Sequence, residues 1–246
     1  MKKQPQIYYY DSVDSTNSKM KTLILAEELT EFSVVTASFQ TGGRGQAGNS
    51  WESEADKNLL FSMLFFPAFI ASESLFMLNS IVTVAIADVL KNYIEGVTIK
   101  WANDVYVADR KIAGILIENS IRQSSVDYSI VGIGLNVNQT AFMSEAPNPV
   151  SMKMITGKTY DTTLLLHEII NAIAMRYCEC ENAGYSKIRE LYLSSLYRRT
   201  GYFPFRDNNG TFTARIEDIE DSGRLVLVDN KDFKRRYAFK EVIFEM

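Results

Sequence analysis

Gly43-Arg44-Gly45-Gln46-Ala47-Gly48, followed by Trp51, is the segment of this 246-residue chain best suited to holding a ligand. Glycines let the backbone approach an anion and offer it successive N–H groups. Arg44 adds a planar cation that fits carboxylate or phosphate, and Trp51 adds a flat face for a base. The glycines match G-x-G-x-x-G, but their surroundings exclude its usual settings. A dinucleotide fold needs an apolar helix opening at the third glycine, whereas Asn49-Ser50-Trp51-Glu52-Ser53-Glu54 follows here. No Gly-Lys-Ser/Thr closes the loop as a Walker motif would, and the partner motifs of a kinase are missing. The bland alternative is a flexible turn, since glycine marks turns more often than phosphate sites.

Lys100-Trp101-Ala102-Asn103-Asp104 is the second such segment. Lys100 and Trp101 flank a strand end, and Asn103 and Asp104 are candidates to hold Mg²⁺ and a phosphate. Lys111 follows across the turn Ala108-Asp109-Arg110 and can return its ammonium towards the same pocket. Solvation alone is the competing reading of both lysines. Gly114, inside an apolar strand, argues instead for close approach of a ligand or another backbone. Asp14-Ser15-Thr16-Asn17 and Gly132-Ile133-Gly134-Leu135-Asn136 complete four polar clusters at strand ends or loops. Together they suit a neutral polar ring at one end and phosphates at the other.

Regular elements must position these clusters. Asp14–Asn17 supplies N-cap residues for a helix running to about Leu29. Strands are expected at 33–39 and 59–66, either side of a glycine loop at about 40–57. A long helix is expected at 72–95; its interior polar and charged residues favour a buried helix over a membrane span. Strands follow at 98–101, 104–107, 111–118 and 128–135, then a polar loop with Pro147 and Pro149, then helices at 161–182 and 185–198. Short strands at 211–217, 223–228 and 234–244 read as a small SH3-like β-barrel, too small for an independent core and expected to lean on the main body. The domain expectation is therefore 1–199 and 200–246.

Composition sets outer limits. The chain is 46% apolar, with a net charge of −4, so no global basic field draws nucleic acid. Met1-Lys2-Lys3 is basic, but no apolar stretch follows it as a secretory signal would require. Cys178 and Cys180 point to different faces of a helix and read as reduced thiols of a cytoplasmic protein.

Five runs in order resemble the biotin protein ligase family. They are Asp14–Asn17, Gln40 through Trp51, Lys100–Asp104, Arg110-Lys111-Ile112-Ala113-Gly114-Ile115-Leu116-Ile117-Glu118, and Gly132 through Asn138. The resemblance covers residues 8–138 closely and the remainder loosely, and points to the monofunctional type without an N-terminal helix-turn-helix domain. It implies an α+β fold: a mixed, mainly antiparallel sheet packed by helices (the class II synthetase-like biotin/lipoate ligase fold), plus the small C-terminal barrel. It also implies a two-step reaction, in which biotin and ATP give biotinyl-5′-AMP and pyrophosphate, and a lysine of a biotin carboxyl carrier domain then displaces AMP.

By the same resemblance Ser15, Thr16 and Gln40 bond the ureido ring, Asn17 braces that turn, and the Gly43 backbone lies against the ring. Arg44 and Lys111 handle the carboxylate, the α-phosphate and the developing charge. Gly114 and Gly132 keep the biotin tunnel open. Trp51 packs on adenine, Asn103, Asp104 and Asn136 serve the nucleotide, and Asp104 is the candidate ligand for Mg²⁺. Two departures stand out: Gln46 replaces a second arginine of many members, and Ala102 replaces a proline. The glycine loop is expected to be mobile without ligand and to close over the adenylate. No direct DNA binding and no membrane association are expected, and the protein is expected to be a monomer or homodimer. The alternatives are a lipoate or octanoate ligase, which needs a long apolar groove and no Ser-Thr…Gln set, and a non-enzymatic biotin sensor, which needs no α-phosphate site.

Overall fold

A strand buried on both faces needs cover on each, and Leu59–Phe65 shows how this chain provides it. Leu59, Phe61, Met63 and Phe65 join the large core. Leu64, pointing the other way, packs with Met20, Leu23, Val35 and Ile130 in a smaller one. The computed structural model describes residues 6–122, 125–143 and 148–245. Met1-Lys2-Lys3, Pro147 and the Ala47 side chain lie outside what is described.

The chain runs β1 (Ile7–Val13), α1 (Thr16–Ala26), β2 (Val34–Gln40), β3 (Leu59–Phe65), α2 (Phe76–Lys91), β4 (Val97–Lys100), β5 (Asp104–Val107), β6 (Arg110–Arg122) and β7 (Ser125–Leu135). Then come α3 (Met152–Thr156), α4 (Thr162–Ala183) and α5 (Ser186–Ser194). The strands β8 (Phe203–Asp207), β9 (Gly210–Ile219), β10 (Leu225–Asp229), β11 (Lys234–Tyr237) and β12 (Ile243–Phe244) complete it. The first seven strands form one sheet ordered β1-β2-β3-β7-β6-β5-β4, and the last five a second ordered β11-β10-β9-β8-β12. The large sheet is antiparallel except for the parallel β1–β2 pair. This is the expected mixed, mainly antiparallel α+β architecture.

Helix α1 covers the β2–β3–β7 side of one face, while α2, backed by α4 and α5, covers the other. The segment Ser72–Lys91 is long and apolar enough to cross a membrane, yet 67% of its most apolar window is buried inside the protein. Ser15 caps α1, its Oγ accepting from the Ser18 N–H at 3.1 Å, as the Asp14–Asn17 run predicts.

Three local expectations shift. The helix α3 was not foreseen: Ser151 caps it and Gly157 ends it in the left-handed region, a span too short to show periodicity. Strand β8 was not foreseen either, because Pro204 argues against a strand. The expected strand at 234–244 breaks into β11 and β12 around a turn at Lys240, whose φ is +70°. The second sheet does lean on the first. Trp101 Nε1 donates to the Gly223 carbonyl at 2.9 Å, Arg199 reaches the Ile216 carbonyl at 2.6 Å, and one continuous core includes Phe205, Ile216 and Leu227.

Candidate active site

Strand register builds the floor of the site. Across β5, β6, β7 and β3 one row reads Asp104, Gly114, Gly134, Leu60, and the next, across β6, β7 and β3, reads Leu116, Gly132, Ser62. The third reads Glu118, Ile130, Leu64. Alternation turns these residues to the α1 face and their neighbours Ala113, Ile115, Val131 and Ile133 into the large core. Three glycines therefore leave a shallow bed on the sheet. A Cβ on Gly134 would lie 2.4 Å from Trp51 Cε2, one on Gly114 2.8 Å from Trp51 Cζ3, and one on Gly132 2.4 Å from Asn17 Oδ1. The Trp51 indole lies on the first two, and Asn17 fills the space over the third.

Above this bed is a pocket of about 530 Å³, within the range of ligand sites. Ser15, Thr16, Gln40, Arg44, Gln46, Trp51, Asn103, Asp104, Lys111, Gly114, Gly132 and Asn136, all singled out in the sequence, line it together. Gly43 does not. A side chain there would meet the Trp51 carbonyl at 2.5 Å, and the Trp51 N–H bonds the Gly43 carbonyl at 2.9 Å. Gly43 closes the neck of the loop, and a Cβ on it would lie 3.2 Å from Gln40 Nε2.

Several side chains are already committed. The Ser15 hydroxyl serves its helix cap. Thr16 and Gln40 are joined: Gln40 Oε1 accepts from the Thr16 N–H at 2.7 Å and from its hydroxyl at 3.1 Å, so Gln40 Nε2 is the end left for a ligand. Ser62, fully buried, donates its one hydroxyl hydrogen to Asn17 Oδ1 at 2.6 Å and meets the Thr16 hydroxyl at 2.7 Å, locking both from below. Asn17 Nδ2 donates to Glu118 at 2.7 Å, the bracing role expected of it.

At the other end Lys111 Nζ pairs with Asp104 at 2.7 Å and lies 5.4 Å from the Trp51 ring centre. The segment after β7 clamps the Lys111 backbone: its N–H bonds the Asn148 carbonyl and its carbonyl the Val150 N–H, both at 2.9 Å. The Asn103 amide is spent on the Ile115 carbonyl, so this residue braces β5 against β6. The Ala102 carbonyl accepts from Asn79 of α2 at 2.8 Å and from Tyr192 of α5 at 2.7 Å, which pins the Trp101–Asn103 bend. Lys100 does not line the pocket. Its ammonium sits 4.7 Å from the Tyr106 ring centre and 5.4 Å from that of Phe244, and burial lowers its pKa.

Among the described residues, three buried polar atoms at the pocket have no hydrogen-bond partner: Trp51 Nε1, Gln46 Oε1 and Asn136 Oδ1. One donates and two accept, so the pocket is open to a ligand carrying both kinds of group. For a metal the donors fit less well. Among the described residues no group of three or more His, Cys, Asp or Glu is gathered, and the Asp104 carboxylate is already met by Lys111.

Sequence reading missed Ser62, Gly134, Phe142 and Phe239, all part of the site or its support. Ser62 was visible as the one polar residue in Leu59–Phe65, and Gly134 as the alternate position after Gly132. Nothing in the sequence marks Phe239, which reaches the pocket from the second sheet and packs 6.2 Å from the Trp101 ring.

The model of the biotin/lipoate A/B protein ligase family matches residues 9–136. The chain is 30% identical over 224 residues to the biotin–[acetyl-CoA-carboxylase] ligase of Paracoccus denitrificans, covering 87% of this chain and 90% of that protein. It is 28% identical over 236 residues to the bifunctional ligase/repressor BirA of Bacillus subtilis, covering 94% and 72%. The biotin protein ligase of Aquifex aeolicus, solved with biotin and ATP, superimposes with a TM-score of 0.81 at 24% identity, covering 98% of each chain.

Proposed function

Because the chain belongs to the biotin/lipoate A/B protein ligase family, we propose that this pocket joins biotin to AMP at the expense of ATP and passes the biotinyl group to a carrier lysine. The protein is an ATP-dependent biotin protein ligase, a biotin–[acetyl-CoA-carboxylase] ligase. The observation that carries the residue assignment is the polar end built by Thr16, Gln40, Asn17 and Ser62. A compact ring rich in N–H and C=O groups can bond Gln40 Nε2, the donor this cluster leaves open, whereas a lipoyl or octanoyl chain offers it no partner.

In the first step a biotin carboxylate oxygen attacks the α-phosphorus of ATP, the bond to pyrophosphate breaks, and the mixed anhydride biotinyl-5′-AMP results. Two like-charged groups must meet. Arg44 and Lys111 supply the opposing charge, and fixed cations in a partly dry pocket stabilise it far better than water does. Holding the two reactants together supplies much of the remaining acceleration. In the second step a lysine ε-amine of the carrier attacks the acyl carbon, AMP leaves, and the amine loses its proton as the amide forms. No nucleophile on this chain is needed.

We assign Thr16 Oγ1 and Gln40 Nε2 to the ureido ring, Trp51 and Asn136 to the nucleotide side, and Lys111 to the junction. Mg²⁺ belongs to the reading as an ion that arrives on ATP phosphates, with Asp104 its candidate protein ligand. The acceptor is read as the biotin carboxyl carrier domain of a carboxylase, and the compartment, from two thiols and no disulfide, as the cytoplasm. Direct DNA binding is not part of the reading, given a net charge of −4; a sequence-specific electrophoretic shift by the pure protein would overturn that. The assignment is tested by pyrophosphate exchange into ATP. Exchange that needs biotin and is not supported by lipoate or octanoate is expected; exchange with octanoate alone would reverse the substrate reading.

A further inference from the structure

Glu118 ends the β6 run that carries Lys111 and Gly114, yet the reaction as derived assigns it nothing. It joins three elements that meet only in the fold. Its Oε2 accepts from Asn17 Nδ2 at 2.7 Å and from Arg44 Nη2 at 3.3 Å, and its Oε1 pairs with Lys21 of α1 at 2.8 Å. Burial would push its pKa up, but the bonds from Lys21 and Asn17 and the charges of Arg44 and Lys21 outweigh that and hold it below the usual carboxylate range. It is therefore an anion at neutral pH.

The way Arg44 is held is informative. Among the described residues every hydrogen bond of its guanidinium is made through Nη2: to Glu118, to Ser18 Oγ at 3.3 Å and to Ser15 Oγ at 3.4 Å. Among the described residues Nη1 and Nε have no partner, and Arg44 lines the pocket. A guanidinium anchored through Nη2 keeps the N–H groups of Nη1 and Nε for an oxyanion, each able to give a charge-assisted bond. Fixing it beforehand removes an ordering cost from binding.

We propose that Glu118 is a positioning residue that anchors Arg44 through Nη2 and thereby sets its unspent Nη1 and Nε N–H groups to receive the carboxylate of biotin before ATP arrives. The inference rests on the reading of the pocket as a biotin site. It distinguishes Glu118 from a competitor that would take up the whole guanidinium, because the contact leaves the Nη1 and Nε N–H groups unspent.

The test is calorimetric titration of biotin, without ATP, into wild type, Glu118→Gln, Arg44→Gln and the double variant, each checked for folding by thermal melting. Glu118→Gln keeps an acceptor for Asn17 and removes the charge. Its biotin Kd is expected to rise about fivefold, the scale of a part-exposed ion pair. In the Arg44→Gln background the same change should add less than twofold, because Glu118 then has nothing to position. Lys21→Met, which removes the other cation on Glu118, should bind biotin within about twofold of wild type. If Glu118→Gln does not fold, Glu118→Asp, which keeps the charge but withdraws it by a methylene, is expected to weaken binding in the same direction. Wild-type affinity in the Glu118 variant, tighter binding, or additive losses in the double variant would overturn the proposal. Failure of wild type itself to bind biotin would instead overturn the functional reading.

Discussion

At Lys111 a single ammonium meets the Asp104 carboxylate at 2.7 Å and the Trp51 ring at 5.4 Å, over a glycine whose Cβ would touch its Cε at 3.0 Å. Such a cation is oriented before the substrates arrive. Removing an oriented group that stabilises developing charge costs about 10²–10³ in kcat, so Lys111→Ala should lose that much while its melting temperature changes little. Gln46 presents the opposite case. Among the described residues its Oε1 is buried without a partner at the pocket, and it leaves Arg44 as the only cation between Gln40 and Trp51. Gln46→Arg should slow release of biotinyl-AMP by about tenfold, the scale of one added charge-assisted bond. A gel-filtration assay of bound adenylate against time reads this, and an unchanged release rate would show that the position does not face the phosphate.

The elements explain why these side chains converge. Helix α1 can lie over the sheet because Gly132 leaves room for Asn17, whose Oδ1 occupies the place of a Cβ at 2.4 Å. Gly132→Ala should therefore shift Asn17 and the Thr16–Gln40 pair. Overpacking of this kind costs about 1–3 kcal/mol, and biotin affinity should fall with stability; urea denaturation and calorimetry on the same variant check both. The glycine loop is pinned at its neck, where Trp51 bonds Gly43, and at its far end, where the Glu52 carboxylate accepts from the Met143 N–H at 2.8 Å. Residues 44–50, inside the neck, are tied to each other by the Arg44–Ser50 pair and by the Gly45 N–H bond to the Asn49 carbonyl at 2.6 Å, a flap that can tighten on ligand as one unit. Biotin plus ATP should protect residues 44–50 from proteolysis, and equal cleavage with and without them would count against closure. Much of this was legible in the sequence, since glycine, arginine, lysine and cap residues carry local meaning. The roles of Ser62, Gly134 and Glu118 were not, although the first two stand out within their own runs, because those roles depend on register between strands far apart in the chain. Which residues share the row Leu116–Gly132–Ser62 is settled by pairing, not by spacing.

For the whole molecule the second sheet matters most. Its existence was legible from turn residues at short intervals, but its seat was not. Trp101, read as flanking a strand end, donates to Gly223 and ties the two sheets together, and the turn after β11 brings Phe239 into the pocket. This sheet carries an acid-sensitive lock. The Asp229 carboxylate accepts from Arg235 at 2.7 Å and from the Lys231 and Phe233 N–H groups, and Asp207 accepts from Tyr237 at 2.7 Å. The bond from Arg235 lowers the first pKa, and that from Tyr237 lowers the second. Folded pKa values below the unfolded ones contribute stability above about pH 4, which is lost as pH falls through the folded values. Asp229→Asn should flatten the loss of stability below about pH 4 and lower stability at pH 7. An unchanged acid limb in denaturation at stepped pH would show that the lock lies elsewhere.

The most direct measurement is incorporation of labelled biotin into a purified biotin carboxyl carrier domain, with ATP and Mg²⁺, by wild type and Lys111→Ala. The account predicts ATP-dependent transfer to one lysine by the wild type and its near loss in the variant. Biotin binding by the wild type without any transfer would contradict it and leave a biotin sensor in its place.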